Sequence, residues 1–336
     1  LFSTVALPAM IAPAHADVNV IASIKPVHSL VAAVMQGAGE PTLIVEGAGS
    51  PHTYSLTPSE ARALQNAGVV FWVGHELEAF MEKPLATLGA KAKKVELMDA
   101  HGLAKLEMRE GGGFDGHMHD HGHAHDHKHE EGHKHEEGHK HEEGHKHEEG
   151  HKHEEGQKHD HGDEVDAHIW LDPLNAKAMA HEIAEALSAA DPAHAAAYKK
   201  NEQKLAAKLD ALIHEIEHTL APVRGKRFIV FHDAYQYFER RFDIPASGSI
   251  TVNPAVPPSV GRVKEIRDKI RGLGATCVFA EPQFEPKIIK TVTEGTSAKT
   301  GMLDPLGAKL ADGPDLYFTL IRNMARALKD CLSSGG

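Results

Sequence analysis

The sequence predicts an α/β protein of two parallel-sheet lobes, about four strands each, joined by one long rigid α-helix. Short apolar, β-branched runs alternate with helical patterns through the first half of the chain. The same plan returns in the second half. Between the halves, residues 192–221 carry an apolar stripe at helical spacing.

In the N-terminal lobe, residues 17–191, the strand runs are 18–24, 42–46, 69–74 and 94–98. Helical patterns at 26–35, 58–67 and 77–88 lie between them. In the linking segment, Pro192 suits a helix start and Pro222 ends it. Leu205, Leu209, Leu212, Ile213, Ile216 and Leu220 form its apolar stripe. A helix of that length spans about 45 Å, a stiff strut rather than a flexible Gly/Ser linker. In the C-terminal lobe, residues 222–336, strands are expected at 227–231, 246–250, 277–280 and 301–303. Helices are expected at 234–242, 259–271, 287–298 and 316–332.

The chain has 336 residues, enough for two domains with a core each. Its formal charge of −12 argues against nucleic acid as a default partner, since phosphate contacts need Lys and Arg. Residues 117–163 hold 6 Lys against 14 acidic residues, so the globular remainder is close to neutral. Residues 1–16 carry no Lys, Arg, Asp or Glu and end in Ala14-His15-Ala16, resembling the later part of a cleaved signal peptide. The alternative is a buried N-terminal strand, against which Pro8 and Pro13 argue. Secretion into an oxidising compartment would pair the two cysteines, Cys277 and Cys331; two buried thiols are the alternative.

Residues 115–164 are low-complexity. From His127 the hexapeptide His-Lys-His-Glu-Glu-Gly occurs five times in succession, and 17 of the 28 histidines lie between His117 and His161. Such composition cannot bury enough apolar surface to order the chain, so a disordered loop is expected. Its fluctuating imidazole clusters suit a metal buffer of weak to moderate affinity; a solubilising linker is the alternative.

Outside this segment, His52 follows the second strand, His168 stands in Asp166-Ala-His168-Ile-Trp-Leu-Asp172-Pro, and His232 ends the fifth strand. Asp304 follows the last strand in Leu303-Asp-Pro-Leu-Gly307. In open parallel sheets, ligands bind beyond the carboxyl ends of strands, where His52, His232 and Asp304 fall. Each histidine taken singly is also readable as a hydrogen-bonded structural residue.

Several of these segments resemble the zinc-specific ZnuA-type solute-binding proteins of ABC transporters, within the cluster A-I metal receptors. The motifs include Ser23-Ile-Lys-Pro-Val-His-Ser29, Trp72-Val-Gly-His-Glu-Leu-Glu-Ala-Phe80 and Phe279-Ala-Glu-Pro-Gln-Phe284, together with the His-rich insertion. The resemblance runs from about Val18 to Leu332. It implies two lobes with one Zn²⁺ in the cleft between them, held by His52, His168 and His232. It also implies a periplasmic monomer that delivers zinc to a membrane permease, with other periplasmic zinc chaperones as candidate partners. Manganese and iron relatives place a carboxylate at the position of Asp304. Zinc members use water or a Glu before the first histidine, and Pro51 removes that Glu here. Asp304 or water therefore fills the fourth position.

Three imidazoles and one oxygen suit tetrahedral Zn²⁺, whereas Mn²⁺ prefers more oxygen donors. A second function class comes from His214-Glu215-Ile216-Glu217-His218, which fits the H-E-x-x-H pattern of zinc peptidases. On the predicted helix both histidines fall opposite the apolar stripe, on the solvated face. A cytosolic metal chaperone or store, a third class, would lack the signal remnant and paired cysteines. His28, His75, His101, His181 and His194 show no partners in sequence, and Glu281 is expected to line the cleft without being a ligand.

Overall fold

The computed structural model describes residues 18–109, 165–274, 277–285 and 287–333. The expected signal remnant, 1–16, and the His-rich segment, 115–164, lie outside the described residues.

The first lobe holds β1 (Val20–Ile24), α1 (Lys25–Val34), β2 (Thr42–Val45), α2 (Pro58–Gln65), β3 (Val69–Trp72), α3 (Glu82–Thr87) and β4 (Lys93–Glu96). Its strands form one parallel sheet in the order β2-β1-β3-β4. β1 is buried throughout, as a central parallel strand covered on both faces must be. The second lobe holds β5 (Phe228–His232), α6 (Gln236–Phe242), β6 (Ser249–Thr251), α7 (Val260–Leu273), β7 (Cys277–Ala280), α8 (Lys287–Thr293), β8 (Lys299–Met302) and α9 (Leu316–Ser333). These strands form a second parallel sheet, β6-β5-β7-β8. Two four-stranded parallel sheets are what the sequence predicts.

The long helix between them, α5 (Ala195–Leu220), begins three residues later than expected. Pro192 stands in the turn before it, and His194 is the capping position. The stripe is buried at Leu205, Leu209, Leu212, Ile216 and Leu220, with Ile213 only partly covered. An 18-residue helix that the sequence pattern does not predict, α4 (Pro173–Ala190), precedes α5 and packs along it. Asp172 caps it by accepting from the Leu174 N–H, and Pro173 supplies a fixed φ at its start. α5 also packs against α1 and α9, so it is a shared internal wall and not a free strut. Asn201 of α5 donates to the carbonyls of Val34 (3.0 Å) and Gln36 (2.8 Å) in the first lobe. Among the described residues, no helix is long and apolar enough to cross a membrane.

Cys277 at the start of β7 and Cys331 near the end of α9 form the expected disulfide. One glycine is dictated by packing. Gly301 of β8 lies opposite Phe279 of β7, and a Cβ there would sit 2.5 Å from the Phe279 ring.

Glu78 is fully buried just beyond β3, its Oε2 accepting from the backbone N–H of Val73 (2.8 Å) and Gly74 (3.1 Å). Burial outweighs these bonds and pushes its carboxyl up to about 7. Between the free-carboxyl pKa and that value the native state keeps a proton that the unfolded chain releases. Stability from this group is therefore present at acid pH and falls as pH rises, by about 3 kcal/mol in all. Glu78→Gln, neutral throughout, should gain about that much relative to wild type between pH ~5 and pH ~8 in urea unfolding. A difference independent of pH would refute this.

Candidate metal centre

Three segments converge on one small cavity. After β2 the chain turns sharply through Ser50, Pro51, His52 and Thr53, with the Thr53 N–H donating to the Ser50 carbonyl at 3.1 Å. Tyr54 braces this turn, its hydroxyl donating to Glu60 at 2.8 Å. Glu60 is in turn the capping-box partner of Thr57 at the start of α2. His168 precedes a short 3₁₀ turn, Ile169–Leu171, whose Trp170 donates its indole N–H to the Pro305 carbonyl at 2.8 Å. His232 is the last residue of β5. β5 and β7 flank the switch point of the second sheet, where open α/β sheets form ligand crevices.

The three rings stand 5.4 Å (His52–His168), 5.7 Å (His52–His232) and 5.2 Å (His168–His232) apart between centroids. One nitrogen from each lies within 4.8 Å of the other two. The Nε2 atoms of His168 and His232 are 3.3 Å apart. The Nδ1 atoms of the same two rings are 2.7 Å from Asp166 Oδ1 and Glu281 Oε1 respectively. Pro51, Trp170, Phe284, Pro305 and Leu306 wall a cavity of about 10 Å³, room for one water or one bare ion. Burial, reinforced by the two neighbouring imidazoles, pushes His52 down to about 2, so its ring is neutral with a lone pair to donate. Neutral imidazole is the form that binds a metal.

The segments around the site are tied to α6. The Leu106 N–H donates to the Tyr237 hydroxyl (3.0 Å), which donates to the Asp166 carbonyl (2.8 Å). Arg109 grips Asp233, next to His232, and also Glu239, with Arg109 Nη1 2.8 Å from Glu239. Arg241 holds Asp172 through two bonds of 2.7 Å. The segment that carries His168 is thereby fastened to α6 of the second lobe.

Asp304 lies apart from this group. Its Oδ1 accepts from Gln283 Nε2 (2.9 Å) and from the N–H groups of Leu306 (3.1 Å) and Gly307 (2.9 Å), and Oδ2 accepts from Ala308 N–H (2.7 Å). Its oxygens are engaged by the turn that supplies Pro305 and Leu306 to the cavity wall. Asp166 was missed as a partner in the sequence, though the Asp-x-His spacing carried the signal.

On α5, His214 is 82% exposed, His218 is exposed and Ile216 is buried. Glu215 is paired with Arg322 of α9 at 2.7 Å. The histidines thus face away from the packed stripe, and the Glu is engaged by a cation. His75, read from sequence as solitary, has carboxylate neighbours: Glu76 at 3.4 Å and Glu96 at 3.5 Å, all at the surface or half-buried. His28 contacts the Pro41 carbonyl (3.0 Å) and His194 contacts Asp191 (2.6 Å), both structural roles.

Comparison with known proteins gives a consistent result. The family model described as "ZnuA: Zinc-uptake complex component A periplasmic" matches residues 20–331. A high-affinity zinc uptake system protein ZnuA of Brucella suis is 60% identical over 315 residues, covering 94% of this chain and 92% of that protein. Its counterpart in Paracoccus denitrificans is 43% identical over 324 residues, covering 96% and 94%. A crystal structure of a ZnuA superposes with a TM-score of 0.69 at 24% identity, covering 93% of this chain and all of that one.

Proposed function

The chain belongs to the ZnuA family of periplasmic zinc-uptake components, and from that premise we propose that His52, His168 and His232 are its zinc ligands. Zinc is the cargo of this binding protein. The observation that carries the ligand assignment is the convergence of the two Nε2 atoms, 3.3 Å apart, on rings whose Nδ1 atoms face carboxylates. With both Nδ1 atoms protonated, the facing lone pairs repel one another unless a cation lies between them. His52 supplies the third nitrogen, and one small donor would complete a tetrahedron. Asp304 holds the turn beside the site, and water takes the fourth position. The donor set fits Zn²⁺ better than Mn²⁺, which favours oxygen.

The family is one of solute-binding proteins, and the peptidase reading of residues 214–218 is not favoured. The two lobes would present zinc to the membrane permease and its ATPase in an ABC importer. Residues 1–16 would direct export and be removed, the mature chain would act as a monomer, and periplasmic zinc chaperones remain candidate donors.

The His-rich segment 115–164 would add weaker sites that gather zinc near the cleft, raising its local concentration. Calorimetric titration of the chain with and without this segment tests the division of labour. Deletion should lower the stoichiometry to about one zinc per chain while sparing the tightest affinity. Loss of the tight site on deletion would make the segment a source of primary ligands and overturn the three-histidine assignment.

A further inference from the structure

Resting on that assignment, we propose that Asp166 and Glu281 are positioning residues of the metal centre. Each fixes the tautomer of one histidine, aims its Nε2 lone pair inward, and contributes one negative charge against the divalent cation.

The same arrangement is built twice. Asp166 Oδ1 accepts from both the ring Nδ1–H (2.7 Å) and the backbone N–H (3.0 Å) of His168. Glu281 Oε1 does the same for His232, at 2.7 Å and 3.3 Å. The routes to it differ. Asp166 reaches its histidine across a two-residue local turn. Glu281 arrives from a neighbouring strand: Phe228 pairs with Cys277 and Ile229 with Val278, and that register carried to the strand ends sets His232 beside Glu281. A carboxylate can only accept, so each Nδ1 must carry the proton and each Nε2 must be the bare donor.

Charge supports the same role. Asp166 and Glu281 are 4% and 2% exposed, so their charges act with little screening by water. Two carboxylates balance one Zn²⁺, leaving the bound centre near neutrality inside an apolar wall. Beyond the His232 ring, the Tyr235 hydroxyl is the side-chain donor that faces Glu281. Without a cation this buried charge is a cost to the fold, which separates a positioning role from a structural one. Among the described residues, no carboxylate accepts from the His52 ring in this way.

The test compares Glu281→Gln and Asp166→Asn with wild type and with His168→Ala. Both carboxamides keep an acceptor oxygen and lose the charge. Each should weaken zinc binding by about 10–100-fold in chelator competition. The urea midpoint of the metal-free chain should stay level, or rise for Glu281→Gln. The visible bands of the Co²⁺-loaded protein should shift while keeping tetrahedral intensity. Wild-type affinity and an unshifted Co²⁺ spectrum in both variants would overturn the inference. So would an affinity loss matched by an equal loss of metal-free stability. If His168→Ala is weakened and the carboxamide variants are not, only the positioning role fails. If His168→Ala also binds like wild type, the ligand assignment itself fails.

Discussion

Replacing His232 with alanine is expected to lower zinc affinity by at least a hundredfold and to destabilise the metal-free fold at the same time. Four-ligand zinc sites are worth about 10–16 kcal/mol in total, so one ligand accounts for about 3 kcal/mol, or two powers of ten in affinity. The second effect comes from what the imidazole leaves behind. Glu281 Oε1 would lose its 2.7 Å ring donor and keep only the 3.3 Å backbone contact, while remaining 2% exposed. Removing one partner of a buried charged pair costs about 1–3 kcal/mol or more. His52→Ala provides the contrast. That ring is half-buried and, among the described residues, is held by no carboxylate, so its loss should weaken zinc binding while sparing the metal-free fold. Chelator competition and urea unfolding on both variants measure the two effects. Equal metal-free stabilities for the two variants would contradict the coupling of His232 to Glu281.

Removing the disulfide is expected to cost about 4 kcal/mol. The bond closes a loop with a sequence separation of 54 that contains α8, β8, the Asp304 turn and most of α9. Opening it frees the unfolded chain from that closure, and the entropy gained there is the larger part of the cost. A Cys277→Ala, Cys331→Ala double variant also leaves a packing deficit in the core cluster that Cys277 shares with Phe279, since Cys277 is fully buried. The variant should unfold at distinctly lower urea concentration, and reductant should move the wild-type midpoint in the same direction. Midpoints unchanged by either treatment would show that the bond contributes little to stability.

Much of the fold was legible because its signals are local. β3 is an unbroken apolar run, β1 is broken only by Ser23 and β5 is apolar up to His232, as two-sided burial requires, and α5 shows a leucine-rich stripe. α4 was not legible because its buried face is made of Ala176, Met179, Ala180, Ile183, Ala184 and Leu187. Alanine contrasts too weakly with its surroundings to mark a periodic stripe. The Asp172-Pro173 start signal was nonetheless present. The three histidines could be found because each sits at a strand end or in a recognisable motif. Asp304 shows the limit of that reasoning. A strand-end carboxylate can point at a ligand or fold back on its own turn, and the turn after Asp304 offers it the N–H groups of Leu306, Gly307 and Ala308. The Glu281–His232 contact depends on the register of two strands 49 positions apart, which no local pattern encodes.

Zinc X-ray absorption on the chain lacking residues 115–164, loaded with one equivalent, tests the ligand assignment most directly. With the His-rich segment gone, only the folded lobes contribute to the spectrum. The expected result is a single light-atom shell at about 2.0–2.1 Å with the outer scattering of three imidazoles and one further oxygen. That imidazole signal should be lost in the His52→Ala, His168→Ala, His232→Ala variant. A spectrum dominated by carboxylate oxygen, or one unchanged in the triple variant, would contradict the three-histidine centre.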